Sequence, residues 1–324
     1  MATGSGDPWS VPLGPSRSEG TRRLDVVGFG QISLDRVATV DAFPHPGGHE
    51  SQLGGALDRP GGQIATAVLA ARTLGCRAAL GGAIGDDAEG QSALAPLRAA
   101  GVDTAGVAAV PEARTRSAWI FVRRGDGERS VLGWRDPRCA IPSDLRDRTA
   151  IADARLLLVD TDDLDLARWA VDVARQVGTA TVLDVDRADP DTCRLARDCD
   201  FPIVSELFVR DLSDLLDVEK VLGELLAGAS RLAIATLGPR GAVAMLPGGA
   251  TRRQAAEAVS VVDTTGAGDV FRGAFAWAVL EGWGAGACLA VAGAAGAHAC
   301  QGLGAQAALP TAERLRAHAS APAA

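Results

Sequence analysis

The stretch running from LLLVD to TATVLD constrains the fold more than any other part of the chain. An apolar run ending in an acid leads into a helical pattern over residues 164–177, which stops at Gly178 before a second apolar run returns. Two short buried strands joined by a helix of crossover length predict a parallel pair. The rhythm continues through FPIV, a helical pattern around 218–226, and RLAIATLG. Upstream, LDVVGFG reads as a strand that empties into a loop. Ile64, Ala67, Val68, Ala71 and Leu74 then recur at helical spacing ahead of Gly75, and RAALGGAIG returns as a strand. The predicted fold is therefore α/β, a doubly wound and mainly parallel sheet flanked by helices. One segment breaks the pattern: SAWIFVRR and RSVLGW flank Gly125, Asp126 and Gly127, the mark of an antiparallel hairpin. With the Pro/Gly-rich segment before Pro60, it predicts a small β lid built from segments about 36–60 and 114–136.

Composition narrows the function. Residues 1–23 are rich in Gly, Pro, Ser and Arg and lack an apolar h-region, so they read as a disordered leader ahead of one folded domain over 24–320. A net charge of −8 argues against nucleic acid, whose affinity for proteins comes largely from basic residues. The six cysteines form no CxxC pair and the four histidines no HExxH, which speaks for reduced thiols and against a zinc centre. Only Glu281 is charged between Ala274 and Ala305, but the run is rich in Ala and Gly and broken by EGWGAG; two buried helices fit it better than a membrane span. A cytoplasmic chain with no membrane partner is expected.

The chemistry concentrates in VVDTTGAGDVFRGAFAWAVLEG, where a glycine-rich turn separates an apolar run from a long apolar helix. Such a junction points the amides of Gly266, Ala267, Gly268 and Asp269 into one concavity, and the helix dipole adds positive potential there. Asp269 either caps this helix or, beside a bound phosphate, accepts the proton of an attacking hydroxyl.

These residues resemble the second signature of the ribokinase (PfkB) sugar-kinase family. The resemblance runs from Leu24 to about Pro310, through RPGGQIATAVLAARTLG, AIGDDAEG, AIATLGPRGA and a closing GAQ. It implies an ATP-dependent carbohydrate kinase that uses Mg2+, with a small sugar-like substrate. By the same resemblance Asp269 is the general base, and the turn formed by Gly266, Ala267 and Gly268 is the anion hole. Asp35 would hold substrate hydroxyls, with Gly61, Gly62 and Thr66 beside it, while Gly85 and Asp86 form a nearby turn. Thr236, Gly238 and Gly241 would border the nucleotide. Asp263 matches an aspartate whose loop helps build a monovalent-cation (K+) site in several members, and homodimers through the lid occur in the family.

The chain departs from the family pattern at three places. Ser33 and Thr66 stand where many members have Asn, and the NxxE segment that helps order magnesium appears as Ser205, Glu206, Leu207 and Phe208. Either Glu206 substitutes as a metal ligand from a neighbouring position, or the metal depends more on water and phosphate. A nicotinamide enzyme is disfavoured because GFGQIS lacks its third glycine, and a P-loop enzyme is excluded by the absence of GxxxxGK[ST]. The acceptor stays open between a free sugar, a sugar phosphate and a nucleoside, with a non-catalytic sugar or nucleotide sensor as the alternative of another class. A phosphorylated acceptor needs cations near the mouth; Arg36, Arg59, Arg116, Arg135 and Arg138 are the candidates, against an ordinary reading as solvated surface, and several converging beside Asp35 would favour a sugar phosphate.

Overall fold

A computed structural model describes residues 7–16, 21–48 and 55–319. Residues 1–6 and 17–20 of the expected leader, and 49–54 of the expected lid, lie outside the described residues. The chain begins with β1 (Leu24–Phe29), β2 (Ser33–Val40) and β3 (Leu57–Gly61), followed by α1 (Gln63–Thr73), β4 (Ala78–Gly85), α2 (Ala88–Ala99) and β5 (Asp103–Val110). The hairpin strands β6 (Ser117–Arg123) and β7 (Arg129–Trp134) come next. They precede α3 (Arg148–Ala152), β8 (Ala154–Asp160), α4 (Leu164–Val177), β9 (Ala180–Val185), α5 (Pro190–Asp198) and β10 (Phe201–Ser205). The remainder comprises α6 (Glu206–Leu212), α7 (Val218–Leu225), β11 (Ala233–Thr236), β12 (Ala242–Met245), β13 (Thr251–Gln254), α8 (Ala267–Leu280), α9 (Ala285–Ala299) and α10 (Ala312–Ala319).

Local chemistry explains where these elements start and stop. The Asp163 side chain accepts from the Leu166 amide to cap α4, and Gly178 ends the helix with a φ of 69°, a left-handed geometry that costs glycine little. Nine strands form the main sheet in the order β13-β12-β11-β10-β9-β8-β1-β4-β5, parallel from β11 to β5 and antiparallel at the β11–β12–β13 edge. Alternate residues feed two cores. Val26, Leu156, Val182 and Ile203 face α1, α8 and α9, whereas Val27, Leu157, Leu183 and Val204 face α4 and α7. Winding reverses between β1 and β8, so the crevice at the C-terminal ends of these strands is the topological switch point where ligands bind in open α/β sheets. The Ala/Gly run forms two helices, α8 and α9, and no helix of the described residues is long and apolar enough to cross a membrane.

A second sheet of four strands, β3-β2-β6-β7, stands beside the first. Its β6–β7 pair is the antiparallel hairpin, closed by Gly127 at φ 67°. Asp35, Val37 and Ile120 lie on its inner face, and Arg36, Trp119 and Leu132 on its outer one. Residues 7–16 fall within the stretch read from sequence as a disordered leader, yet here they pack. Trp9 is buried with Arg252 over its ring, and Pro12 bridges to Gly284, because an apolar indole lowers its free energy by covering the end of α9. All six cysteines are free thiols.

Candidate active site

The glycine turn before α8 is held from two sides. Gly266 is the N-cap at φ 80°, and a Cβ there would come within 2.6 Å of the Ala305 backbone, so only glycine fits. Asp263, fully buried, accepts from the Thr265 amide (2.8 Å), the Thr265 hydroxyl (2.6 Å) and the Gly304 amide (2.8 Å). The hairpin tip supplies the other clamp. Both the amide and the hydroxyl of Thr264 donate to the Gly127 carbonyl at 3.0 Å, and Arg129 Nη1 donates to the Thr264 hydroxyl at 3.0 Å.

Asp269 sits in the first turn of α8, where the amides of Gly268 and Asp269 have no intrahelical acceptor. The capping alternative is not realised, since Gly266 is the N-cap and no side chain caps this helix. Burial raises the Asp269 pKa to about 7; Arg272 opposes that rise, and Asp186 adds to it.

Four further groups converge here that the sequence reading did not single out. Asp160 and Asp184 are register partners at the ends of β8 and β9. Asp160 is buried, accepts from the amides of Gln31 (2.8 Å) and Asp162 (3.1 Å), and has its pKa pushed up to about 7 by that burial and by Asp162. Asp184 is equally buried and ion-paired with Arg272, and desolvation drives its pKa upward. Asp186 accepts from Gln63 Nε2 at 2.8 Å. The available signal was position: LLLVD and VLDVD each end a parallel strand in acid, on the edge where sites form.

Asp35, on the inner face of β2, is 7% exposed, and its Oδ1 is buried without a hydrogen-bond partner among the described residues. Desolvation lifts its pKa to about 6, held back by the Ser33 hydroxyl and by Arg116. A buried carboxylate oxygen with an open valence is what a ligand hydroxyl needs. Gly61 pairs with Ser33 across the β2–β3 register, and a Cβ there would run into the Asp35 carboxylate. Gly62, at φ 95°, starts α1 where any Cβ would meet the Gln31 carbonyl, so its glycine has a backbone cause in addition to ligand access. Thr66 is fully buried and accepts from Gln306 Nε2 at 3.3 Å.

Along the strand edge, Thr236 ends β11 and donates weakly to the Val204 carbonyl at 3.4 Å. Gly238 (φ 56°) and Gly241 (φ 80°) bracket the turn that follows. Ser205 caps α6 by accepting from Leu207 (3.1 Å) and Phe208 (3.3 Å), and donates to the Asp186 carbonyl at 2.8 Å. Glu206 is ion-paired with Arg210 and with Arg240, the latter at 2.7 Å, and its carboxyl is held below the usual range by those pairs against the pull of burial. Among the described residues, no cluster of three His, Cys, Asp or Glu side chains is arranged to hold a metal.

The arginines proposed as phosphate ligands are engaged elsewhere. Arg116 and Arg135 pair with Asp162 and Asp163, Arg138 with Asp136, Arg36 with Asp58, and Arg59 donates to the Leu303 carbonyl.

Comparison with known proteins agrees with this geometry. The family model described as pfkB family carbohydrate kinase matches residues 23–312. Fructokinase-1 of Zea mays is 29% identical over 277 residues, covering 79% of this chain and 83% of the maize protein. A ribokinase-like structure from Agrobacterium tumefaciens superposes with a TM-score of 0.82 at 29% identity, covering 91% of this chain and 97% of its own. Arabidopsis thaliana ribokinase, solved with ribose and ATP, shares the fold at a TM-score of 0.77 and 22% identity, over 92% and 99% of the two chains.

Proposed function

The chain belongs to the pfkB family of carbohydrate kinases, and we propose that it transfers the γ-phosphoryl group of ATP to a hydroxyl of a free sugar, with Asp269 as general base. The observation that carries this reading is the place of Asp269, a half-buried carboxyl in the first turn of a helix whose glycine turn leaves amides open beside it, where desolvation raises its pKa to about 7. A base of that strength can take a hydroxyl proton near neutral pH. Substrate would lie in the crevice between the sheets, with Asp35 accepting its hydroxyls and Gly61, Gly62 and Thr66 forming the floor. The four-stranded sheet, as a lid, would shut out water. The nucleotide would run past Thr236, Gly238 and Gly241 toward the amides of Gly266, Ala267, Gly268 and Asp269, which bind the transferring phosphoryl oxygens.

Magnesium would arrive on the nucleotide phosphates; Ser205 is taken up by the α6 amides and the Asp186 carbonyl, and Glu206 would bind a metal only in competition with its two arginine partners. A potassium ion would be held mainly by backbone carbonyls of the Asp263 loop, because that carboxylate already accepts three hydrogen bonds from the protein. We place the protein in the cytoplasm, where ATP is available, as a dimer through the outer face of the lid.

A free sugar is favoured over a phosphorylated one because Arg116, whose charge reaches Asp35, and Arg59, its register partner, already have acidic or carbonyl partners. The test is ADP release with Mg·ATP and, separately, D-fructose, D-ribose, fructose 6-phosphate and adenosine. Turnover with a free sugar is expected. Binding of a sugar by calorimetry with no ADP release from any acceptor would replace the kinase with a sensor.

A further inference from the structure

Asp269 faces several charged groups from the elements around it. Asp186, beyond β9, and Asp160, at the end of β8, push it toward the neutral acid, and Asp184 on β9 feels it as a like charge. Two cations oppose them, Arg129 from β7 and Arg272 from α8 itself. Arg129 sits on an exposed strand, whereas Arg272 is 3% exposed. Side chains on a helix lean toward its N-terminus, so Arg272 reaches back past Asp269, three residues away, and Gly268, four away. Its Nη2 pairs with Asp184 and donates to the Ile203 carbonyl at 3.3 Å, which ties the guanidinium to two strands. Its Nη1 lies 2.5 Å from the place a Cβ on Gly268 would take. Gly268 therefore has a second cause for its bare backbone: the space belongs to the guanidinium.

We propose that Arg272 is the positioning residue of the general base, a buried and anchored cation that fills the space beneath Gly268 and supplies the counter-charge Asp269 needs among its acidic neighbours. This rests on the reading of Asp269 as general base. Asp184 then acts as the anchor that fixes where the positive charge sits, and a buried pair of that kind is justified by placement more than by stability.

The test is a carboxyl ¹³C NMR titration of aspartate-labelled protein, with the Asp269 signal assigned by its loss in Asp269→Asn. An opposite charge at close range lowers a carboxyl pKa by about 1 to 3 units, so Arg272→Gln should raise the Asp269 midpoint by roughly one unit or more. Arg272→Lys should restore it most of the way. Removing one partner of a buried pair can unfold a protein, so Asp184→Asn with Arg272→Gln is the second variant, neutral throughout, and it should show a smaller upward shift, because the like charge of Asp184 leaves together with the cation. The acid limb of sugar phosphorylation should move with the midpoint. A midpoint unchanged in both glutamine variants overturns the proposal, because a purely structural arginine alters the melting temperature and leaves that titration alone. The two readings fail separately. Full turnover by Asp269→Asn removes the general base, while an inactive Asp269→Asn with an unmoved midpoint removes only the role of Arg272.

Discussion

At residue scale, the proposal gives the substrate proton one destination, the Asp269 carboxylate. Asp269→Asn keeps the shape of the side chain and removes its basicity, so kcat should fall by ~10²- to 10⁴-fold with the circular dichroism spectrum unchanged. If Asp269 is the base, its ionised form is the active one, so kcat/KM should decline as pH drops below about 7, following the raised pKa; the variant should lose that limb. Asp35 makes a different prediction. Its pKa is about 6 in the fold and near 3.8 when unfolded, so the native state binds the extra proton between those values and stability falls as pH rises through them. Asp35→Asn should thus melt higher than wild type at pH 8, lose that advantage below about pH 4, and raise KM for the sugar. A variant that melts lower at pH 8 would mean that Asp35 is satisfied within the protein.

At element scale, the parallel units were legible because apolar runs, helical spacing and glycine stops agree with one another, as the match of residues 164–177 to α4 shows. The glycine turn was legible too, since its residue types are dictated locally by a positive φ at Gly266. The roles of Asp160, Asp184 and Arg272 were not. Each depends on which strands lie side by side and in what register, and neither is written in any local window. The same holds for the hairpin tip. Sequence marks Gly127 as a turn, but its carbonyl also receives Thr264, and a Cβ there would come within 2.5 Å of Val261 and 3.0 Å of the Asp263 amide. Gly127→Val should lift the tip off the catalytic turn. The expected result is a drop in kcat of ten-fold or more, of the order seen when a group far from the chemistry shifts reacting atoms by about 1 Å. The unfolding free energy from urea titration should fall by only about 1 to 3 kcal/mol, the cost of a non-glycine residue at the positive φ of this tip.

At the scale of the whole molecule, the second sheet has an inner face committed to the site and an outer face with no such duty. The outer face nevertheless carries Trp119, Leu132 and Trp134, exposed by 39%, 68% and 49%, with Trp119 stacked on Phe121 and Arg36 over its ring. Burying such a cluster against a second copy removes apolar area from water at about 25 cal/mol per Å², and a twofold contact would bring the same patch of each chain together. If the second sheet is both lid and dimer contact, as proposed, closure over the substrate is linked to association of subunits. Leu132→Asp places a charge at the centre of that patch and leaves the inner face untouched. Sedimentation velocity should therefore show a dimer for the wild type and a monomer for the variant, with kcat/KM falling while the far-ultraviolet spectrum stays the same. A wild-type chain that sediments as a monomer at tens of micromolar would assign the exposed tryptophans to some other partner.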